Sequence, residues 1–217
     1  MSVFDNRVQA GKKLADRLLR LKGEDVVVLG IPRGGVVVAN EVAKALGAPL
    51  DVVMAKKIGA PGEPEYALGA VGEEGEVVMN SEEAEYIGAT GGYLEDQVRE
   101  RRAEMKEKLA NLRGEASPPR LKGKVVVIVD DGIATGSTVK AAAISVQKKQ
   151  PKAVVVAVPV APRDAVEKLT EAGLEVVCVE TPMSFFAIGE HYKDFGQVED
   201  YEVKRILSEN LDARRTG

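Results

Sequence analysis

The sequence predicts an α/β fold: a parallel sheet of about five strands with helices on both faces. Three observations carry this reading. Runs rich in β-branched residues at 26–30, 51–57, 124–130, 153–158 and 175–180 read as buried strands. Helical periodicity fills most of the gaps between them. Gly or Pro marks the joins, as at Gly47, Pro49 and Gly173. Strand, loop, helix and strand in alternation is the pattern of right-handed crossovers in one parallel sheet. The length of 217 residues suits a single domain over 1–217, with an accessory insertion at 58–119 and a segment at 181–200. Both additions are expected at the carboxyl edge of the sheet, where ligands bind in such folds.

The first helix is expected within 4–21, where Phe4, Val8, Leu14, Leu18 and Leu21 recur at near-helical spacing. Strand 26–30 follows a turn at Gly23 and Asp25, and leads through IPRGG at 31–35 into a helix over 36–46. DVVMAKK at 51–57 is the second strand. Residues 58–80, with five glycines and two prolines, read as a mobile loop at 58–65 followed by short strands near 67–71 and 76–79. A long surface helix is expected over 94–112, with Leu94, Val98, Met105, Leu109 and Leu112 inward. Its Arg99, Arg101 and Arg102, mixed with glutamates, read as a solvated face. Pro118 and Pro119 restart the main fold before strand 124–130. Helices over about 137–149 and 164–172 alternate with strands 153–158 and 175–180. A last helix covers 199–211, and the polar tail DARRTG is expected to be disordered.

Composition excludes several classes. The formal charge of −4, without a basic patch interleaved with aromatics, argues against a nucleic-acid binder. Cys178 is the sole cysteine, so no intrachain disulfide forms, and its apolar neighbours favour a core thiol. His191 is the sole histidine, so neither a His cluster nor a Cys-based zinc site is available. No run reaches about 18 apolar residues, so no membrane span is expected and cytoplasmic residence is the default. A homodimer is compatible with everything read here.

The densest chemistry lies at 125–138, VVVIVDDGIATGST. A buried strand ends in Asp130 and Asp131, and a loop of Gly132, Ile133, Ala134, Thr135, Gly136, Ser137 and Thr138 leads into a helix. Backbone N–H groups and hydroxyls of such a loop can hold a phosphate. The paired carboxylates suit diol hydroxyls or a divalent cation. Phosphate, diol and metal together describe a phosphorylated ribose. The plainer alternatives are a solvated turn for the aspartates and helix capping for Thr135, Ser137 and Thr138. A second loop, Pro32, Arg33, Gly34 and Gly35, follows the first strand, and its glycines permit close backbone approach. It lacks GxGxxG spacing, and no Walker lysine occurs.

The 125–138 string resembles the 5-phosphoribosyl-1-pyrophosphate (PRPP) signature of the type I phosphoribosyltransferases. The resemblance implies that Asp130 and Asp131 face the ribose hydroxyls and that 134–138 wraps the 5-phosphate. It implies that 31–35 binds pyrophosphate through a non-proline cis bond at Pro32-Arg33. It also implies a basic residue from Lys56 or Lys57, with a loop closing behind them. Neighbours on a strand face opposite ways, and Lys56 is the better anchored. Mg²⁺ is the implied cofactor, held by substrate oxygens and water rather than by direct protein ligands, with Asp130 and Asp131 as water-mediated partners. Ala134 stands where hypoxanthine–guanine enzymes carry aspartate, which argues against that branch. The implied reaction is transfer of phosphoribose to a nitrogenous acceptor, a nucleobase in salvage, with Asp130, Asp131, Arg33, Lys56 and Glu180 carrying catalysis. Phe185, Phe186, Tyr192 and Phe195, in a C-terminal hood segment, would stack on a planar acceptor; hydrophobic closure of the sheet edge is their other reading. Glu180, a loop carboxylate such as Glu63 or Glu65, or the substrate itself would be the general base, though Glu180 also reads as a solvated strand end. A non-catalytic PRPP-binding regulator on the same fold stays open. IPRGG at 31–35, KIGAPGEPE at 57–65 and FAIGEHYKDFGQ at 186–197 resemble most a group of bacterial and archaeal "predicted phosphoribosyltransferases".

Overall fold

The computed structural model describes residues 3–79, 81–89, 91–114 and 116–215, with the side chains of 64–67, 81, 83 and 212–215 also outside the description. Its elements run α1 (Arg7–Leu18), β1 (Val26–Gly30), α2 (Gly34–Leu46), β2 (Leu50–Val52), β3 (Ala55–Ala60), β4 (Glu63–Gly72), β5 (Val77–Met79), α3 (Ser81–Tyr86) and α4 (Gly92–Arg113). Then come β6 (Val125–Val129), α5 (Ser137–Gln147), β7 (Ala153–Val160), α6 (Arg163–Glu171), β8 (Glu175–Glu180) and α7 (Asp200–Arg215).

Five strands form one parallel sheet in the order β2-β1-β6-β7-β8. The β-branched runs form it because both faces are covered. Strand alternation divides β6 between two layers. Val125, Val127 and Val129 join a core with Leu14, Leu18, Val38, Val42, Val203 and Ile206 from α1, α2 and α7. Val126 and Ile128 join the other core with Val139, Ala142, Val146, Ala165 and Leu169 from α5 and α6. The reversal of strand order lies between β1 and β6. Their carboxyl ends therefore open at a switch point, and carry the two loops singled out in the sequence.

The expected strand 51–57 is broken in two. The backbone leaves the main sheet after Val52: Val53 N–H donates to the Gly30 carbonyl at 3.1 Å and Met54 N–H to Glu73 Oε1 at 2.8 Å. β3 then starts a separate antiparallel sheet in the order β3-β4-β5. Residues 58–65, expected to be a mobile loop, are instead the end of β3, a turn with Gly62 at φ +81°, and the start of β4. Gly and Pro in this stretch mark a hairpin turn. The small sheet lies on the outer flank of α5, where a Cβ at Gly72 would stand 2.8 Å from the Ala141 carbonyl. α4 is anchored at its far end, where Arg113 Nε donates to both Asp51 carboxylate oxygens at 3.0 Å and Nη2 to the Val52 carbonyl at 2.8 Å. Its Arg99 pairs with Asp96 on the exposed side, whereas Arg101, expected on the solvated face, is half-buried and pairs with Glu104. α7 continues to Arg215, so the tail expected to be disordered is helical through that residue.

α1 begins later than its periodicity suggests. Asn6 caps it, its Oδ1 accepting from Gln9 N–H at 2.9 Å. Phe4 lies outside the helix, fully buried, and bridges to Tyr192 as a short parallel strand, while Val8 faces solvent. Val3 and Phe4 N–H donate to the His191 carbonyl, and Lys193 and Asp194 N–H donate back to Phe4 and Asp5. The N-terminal segment is thereby stitched to the 181–200 segment above the sheet edge. α1 crosses α2 at Gly11, where a Cβ would meet Glu41 Cβ and the Val38 carbonyl, each at 2.9 Å. Gly11→Val is expected to lower stability by about 1–3 kcal/mol through overpacking. A urea midpoint unchanged from the parent would refute that close crossing.

Candidate active site

β6 delivers Asp130 and Asp131 to the sheet edge, and the 31–35 loop packs directly on them. The Pro32-Arg33 peptide is cis. A Cβ at Gly34 would lie 2.0 Å from Asp131 Oδ2, and one at Gly35 would lie 2.8 Å from Asp130 Cα. Only glycine admits this approach. Asp131 is buried, and its N–H donates to Asp130 Oδ1 at 2.9 Å. Burial, then the Asp131 charge beside it, holds the Asp130 carboxyl well above the usual carboxylate range.

The cation for this pair comes from α1. Arg7 Nε donates to Asp131 Oδ2 at 2.7 Å and Nη1 to the Gly196 carbonyl at 2.7 Å. Its guanidinium lies over Phe195, 3.8 Å from the ring centroid. Sequence reasoning missed Arg7, because nothing local to FDNR tells which residue 124 positions away it will meet.

Both loops end at helix N-termini that no side chain caps. The N-cap of α2 is Arg33 and that of α5 is Gly136, at φ +84°, each without a side-chain cap hydrogen bond. The capping alternative for Thr135, Ser137 and Thr138 is therefore not what the structure shows. Such a terminus presents N–H groups and a positive dipole end to an anion. Beside α5 opens a cleft of about 430 Å³ lined by Thr135, Gly136, Ser137, Lys140, Lys168 and, across from them, Met79. Lys140 and Lys168 also line it, with Glu171 beside them and Lys168 paired with Asp164 at 3.1 Å; the i and i+28 separation of the two lysines gives no sequence signal.

The other predicted residues are distributed unevenly. Gly132 packs close, a Cβ there falling 2.6 Å from Ile188, and Ile133 is core. Ala134 and Thr135 are exposed on the loop. Arg33 stands beside Glu199, 3.6 Å away. Lys56 is paired with Glu104 of α4, and Lys57 is exposed, so both sit on the small sheet rather than at the end of a main strand. Glu180 is exposed at the end of β8, two strands from Asp130, roughly 10 Å by strand spacing. Glu63 is exposed, and the Glu65 side chain lies outside the described residues.

The aromatic group is not one stacking surface. Tyr192 is buried between Phe4 and Phe195, at ring distances of 5.3 and 4.9 Å, and its hydroxyl donates to the Asp131 carbonyl. It supports the acid pair and has no free face for an acceptor. Phe185 stacks on His191, whereas Phe186 is exposed and Phe195 partly so. Burial pushes the Cys178 thiol up to about 11, in keeping with a core role. Among the described residues no cluster of three or more His, Cys, Asp or Glu side chains can cage a metal alone.

The phosphoribosyl transferase domain model matches residues 2–194. The chain belongs to this family. It is 44% identical over 207 residues to a Mycobacterium tuberculosis protein of strain ATCC 25618 / H37Rv named "Putative phosphoribosyl transferase Rv0571c". That match covers 95% of the chain and 47% of the relative, so the chain spans about half the length of the curated relatives it matches. TT1426 from Thermus thermophilus is 47% identical, with a TM-score of 0.81 over 96% of this chain and 99% of that one. A Neisseria gonorrhoeae protein solved with bound ppGpp shares the fold at 15% identity and a TM-score of 0.51, over 95% and 94% of the two chains. This phosphoribosyl transferase domain has no helix, among the described residues, long and apolar enough to cross a membrane.

The acid pair makes a testable demand on stability. The folded pKa of Asp130 is raised above its unfolded value near about 3.9. Between the two values the unfolded chain holds fewer protons, so stability from this group is full below about pH 4 and is lost as pH rises toward the folded pKa. Asp130→Asn should therefore be more stable than the parent at pH 8, with the difference closing toward about pH 4. Urea midpoints at both pH values check this, and a variant less stable at pH 8 would overturn it.

Proposed function

We propose that the domain transfers phosphoribose from PRPP to a planar nitrogenous acceptor, releasing pyrophosphate. The observation that carries this reading is the carboxylate pair flanked by two uncapped helix N-termini on one sheet edge. The α5 terminus, with the 134–138 loop, would hold the 5-phosphate. The α2 terminus, with Arg33, would hold the diphosphate. Asp130 and Asp131 lie between, where the ribose hydroxyls would sit. Lys56 or Lys57 would reach the diphosphate only after a movement that frees the site side of the small sheet.

Displacement at C1 builds positive charge on the ribose and negative charge on the leaving diphosphate. Fixed N–H donors aimed at that charge need no reorganisation during reaction. Mg²⁺, held by substrate oxygens and through water by Asp130 and Asp131, would add charge stabilisation to the leaving group. No covalent nucleophile is needed, in agreement with the half-buried Cys178, whose thiol is pushed up by desolvation, and the sole, buried His191. Phe186 is the aromatic face left for an acceptor, a nucleobase in salvage by this reading, since Arg7 and Tyr192 cover Phe195. Glu180, exposed at the end of β8, would act as the general base.

Asp130→Asn with Asp131→Asn should weaken PRPP binding about 100-fold or more, the loss of two charge-assisted hydrogen bonds. Calorimetric titration with and without Mg²⁺ reads this, and unchanged affinity would refute the ribose assignment. A screen of pyrophosphate release across purine, pyrimidine and amine acceptors separates a transferase from a PRPP-binding regulator. Tight PRPP binding with no release from any acceptor would decide for the regulator. Glu180→Gln should keep PRPP affinity and lower turnover by about 100-fold. Turnover equal to the parent would remove Glu180 as the base.

A further inference from the structure

We propose that Arg7 is a positioning residue that latches the 192–197 segment to the acid pair, so that PRPP affinity is set from the first turn of α1. One guanidinium touches three separate parts of the site. It donates to Asp131 Oδ2 at 2.7 Å and to the Gly196 carbonyl at 2.7 Å, and it lies 3.8 Å above the Phe195 ring. Its Nε is also 2.7 Å from the position a Gly34 Cβ would take, so it borders the 31–35 loop as well. Only 12% of the side chain is exposed.

The backbone around Arg7 is fixed on both sides. Asn6 caps α1 immediately before it, and residues 3–5 are hydrogen-bonded to 191–194. The guanidinium therefore arrives pre-aimed. Its planar fork serves two acceptors at once while its face covers an aromatic ring, and lysine cannot do all three. Without this cation two adjacent carboxyls would be crowded against Gly34 and Gly35 with no countercharge. Tyr192 completes the latch, its hydroxyl holding the Asp131 carbonyl from below the same segment. The acid pair and the segment over it thus share one fastening. Release of either changes the other.

The affinity part of this inference rests on the PRPP reading above, while the latch part does not. Arg7→Lys keeps the charge and loses the fork; Arg7→Gln loses the charge. The full chain is compared in each form by two measurements. Amide hydrogen exchange at Lys193 and Asp194, which donate to Phe4 and Asp5, reads the latch. Calorimetric titration with PRPP and Mg²⁺ reads the site. Both variants should speed exchange at those amides at least tenfold while the β6 amides stay protected. Both should weaken PRPP at least tenfold. Parent-like exchange at Lys193 and Asp194 would overturn the latch. Faster exchange there with parent-like PRPP affinity would overturn the coupling, leaving Arg7 a structural pin. Should the parent itself not bind PRPP, the proposed function fails, and the exchange data alone still decide the latch.

Discussion

Two carboxyls at the end of one buried strand set the terms for everything around them. β6 is covered on both faces, so its last turn outward leaves a corner with Asp131 buried and Asp130 half-buried beside it. Charge there needs a partner or must be given up. The structure does both. Asp131 takes Arg7, and the Asp130 carboxyl is pushed upward by burial and by its neighbour. A diol or a hydrated cation is the kind of ligand that relieves such a corner. The local cost of the arrangement is the usual sign of a site kept for binding rather than for stability.

The surroundings follow from that corner. The 31–35 loop must approach within contact of both carboxyls, and only glycines at 34 and 35 leave the room. Those glycines open α2, and Gly136 opens α5, so neither helix has a side-chain cap. In an ordinary helix that omission is a small loss of stability. Here it leaves two sets of N–H donors on either side of the carboxylates. That is the arrangement the proposed phosphoribosyl ligand would use.

The strands were legible because parallel strands buried on both faces read as unbroken β-branched runs. The 130–138 and 31–35 loops were legible because their chemistry is contiguous in sequence. Arg7 was not, since its contact with Asp131 spans the sheet and belongs to tertiary packing alone. The 51–57 run misled for a physical reason. β-propensity continues across Val53 and Met54, but the register changes there from one sheet to another. The Gly and Pro residues after it signal a turn equally well whether the flanks are loop or hairpin. The aromatic cluster misled because stacking residues and core residues are the same types. Tyr192 shows which it is only through burial against Phe4 and Phe195.

The ordered hairpin changes which side of the sheet edge could be covered. A loop closing from 58–65 would have acted from the side of the small sheet. That sheet is instead packed on α5, and Lys56 is held by Glu104. The opposite side of the edge carries a cover already in place: the 181–200 segment, stitched to residues 3–5 and pinned through Phe195 and Gly196 to Arg7. Its attachment is made of backbone hydrogen bonds and one guanidinium, with few large buried side chains beyond Phe4 and Tyr192. Segments of that kind open at lower free energy than the core strands beneath them. The 181–200 side of the edge therefore depends on its backbone pairing with residues 3–5 and on Arg7, whereas the small sheet depends on its packing against α5.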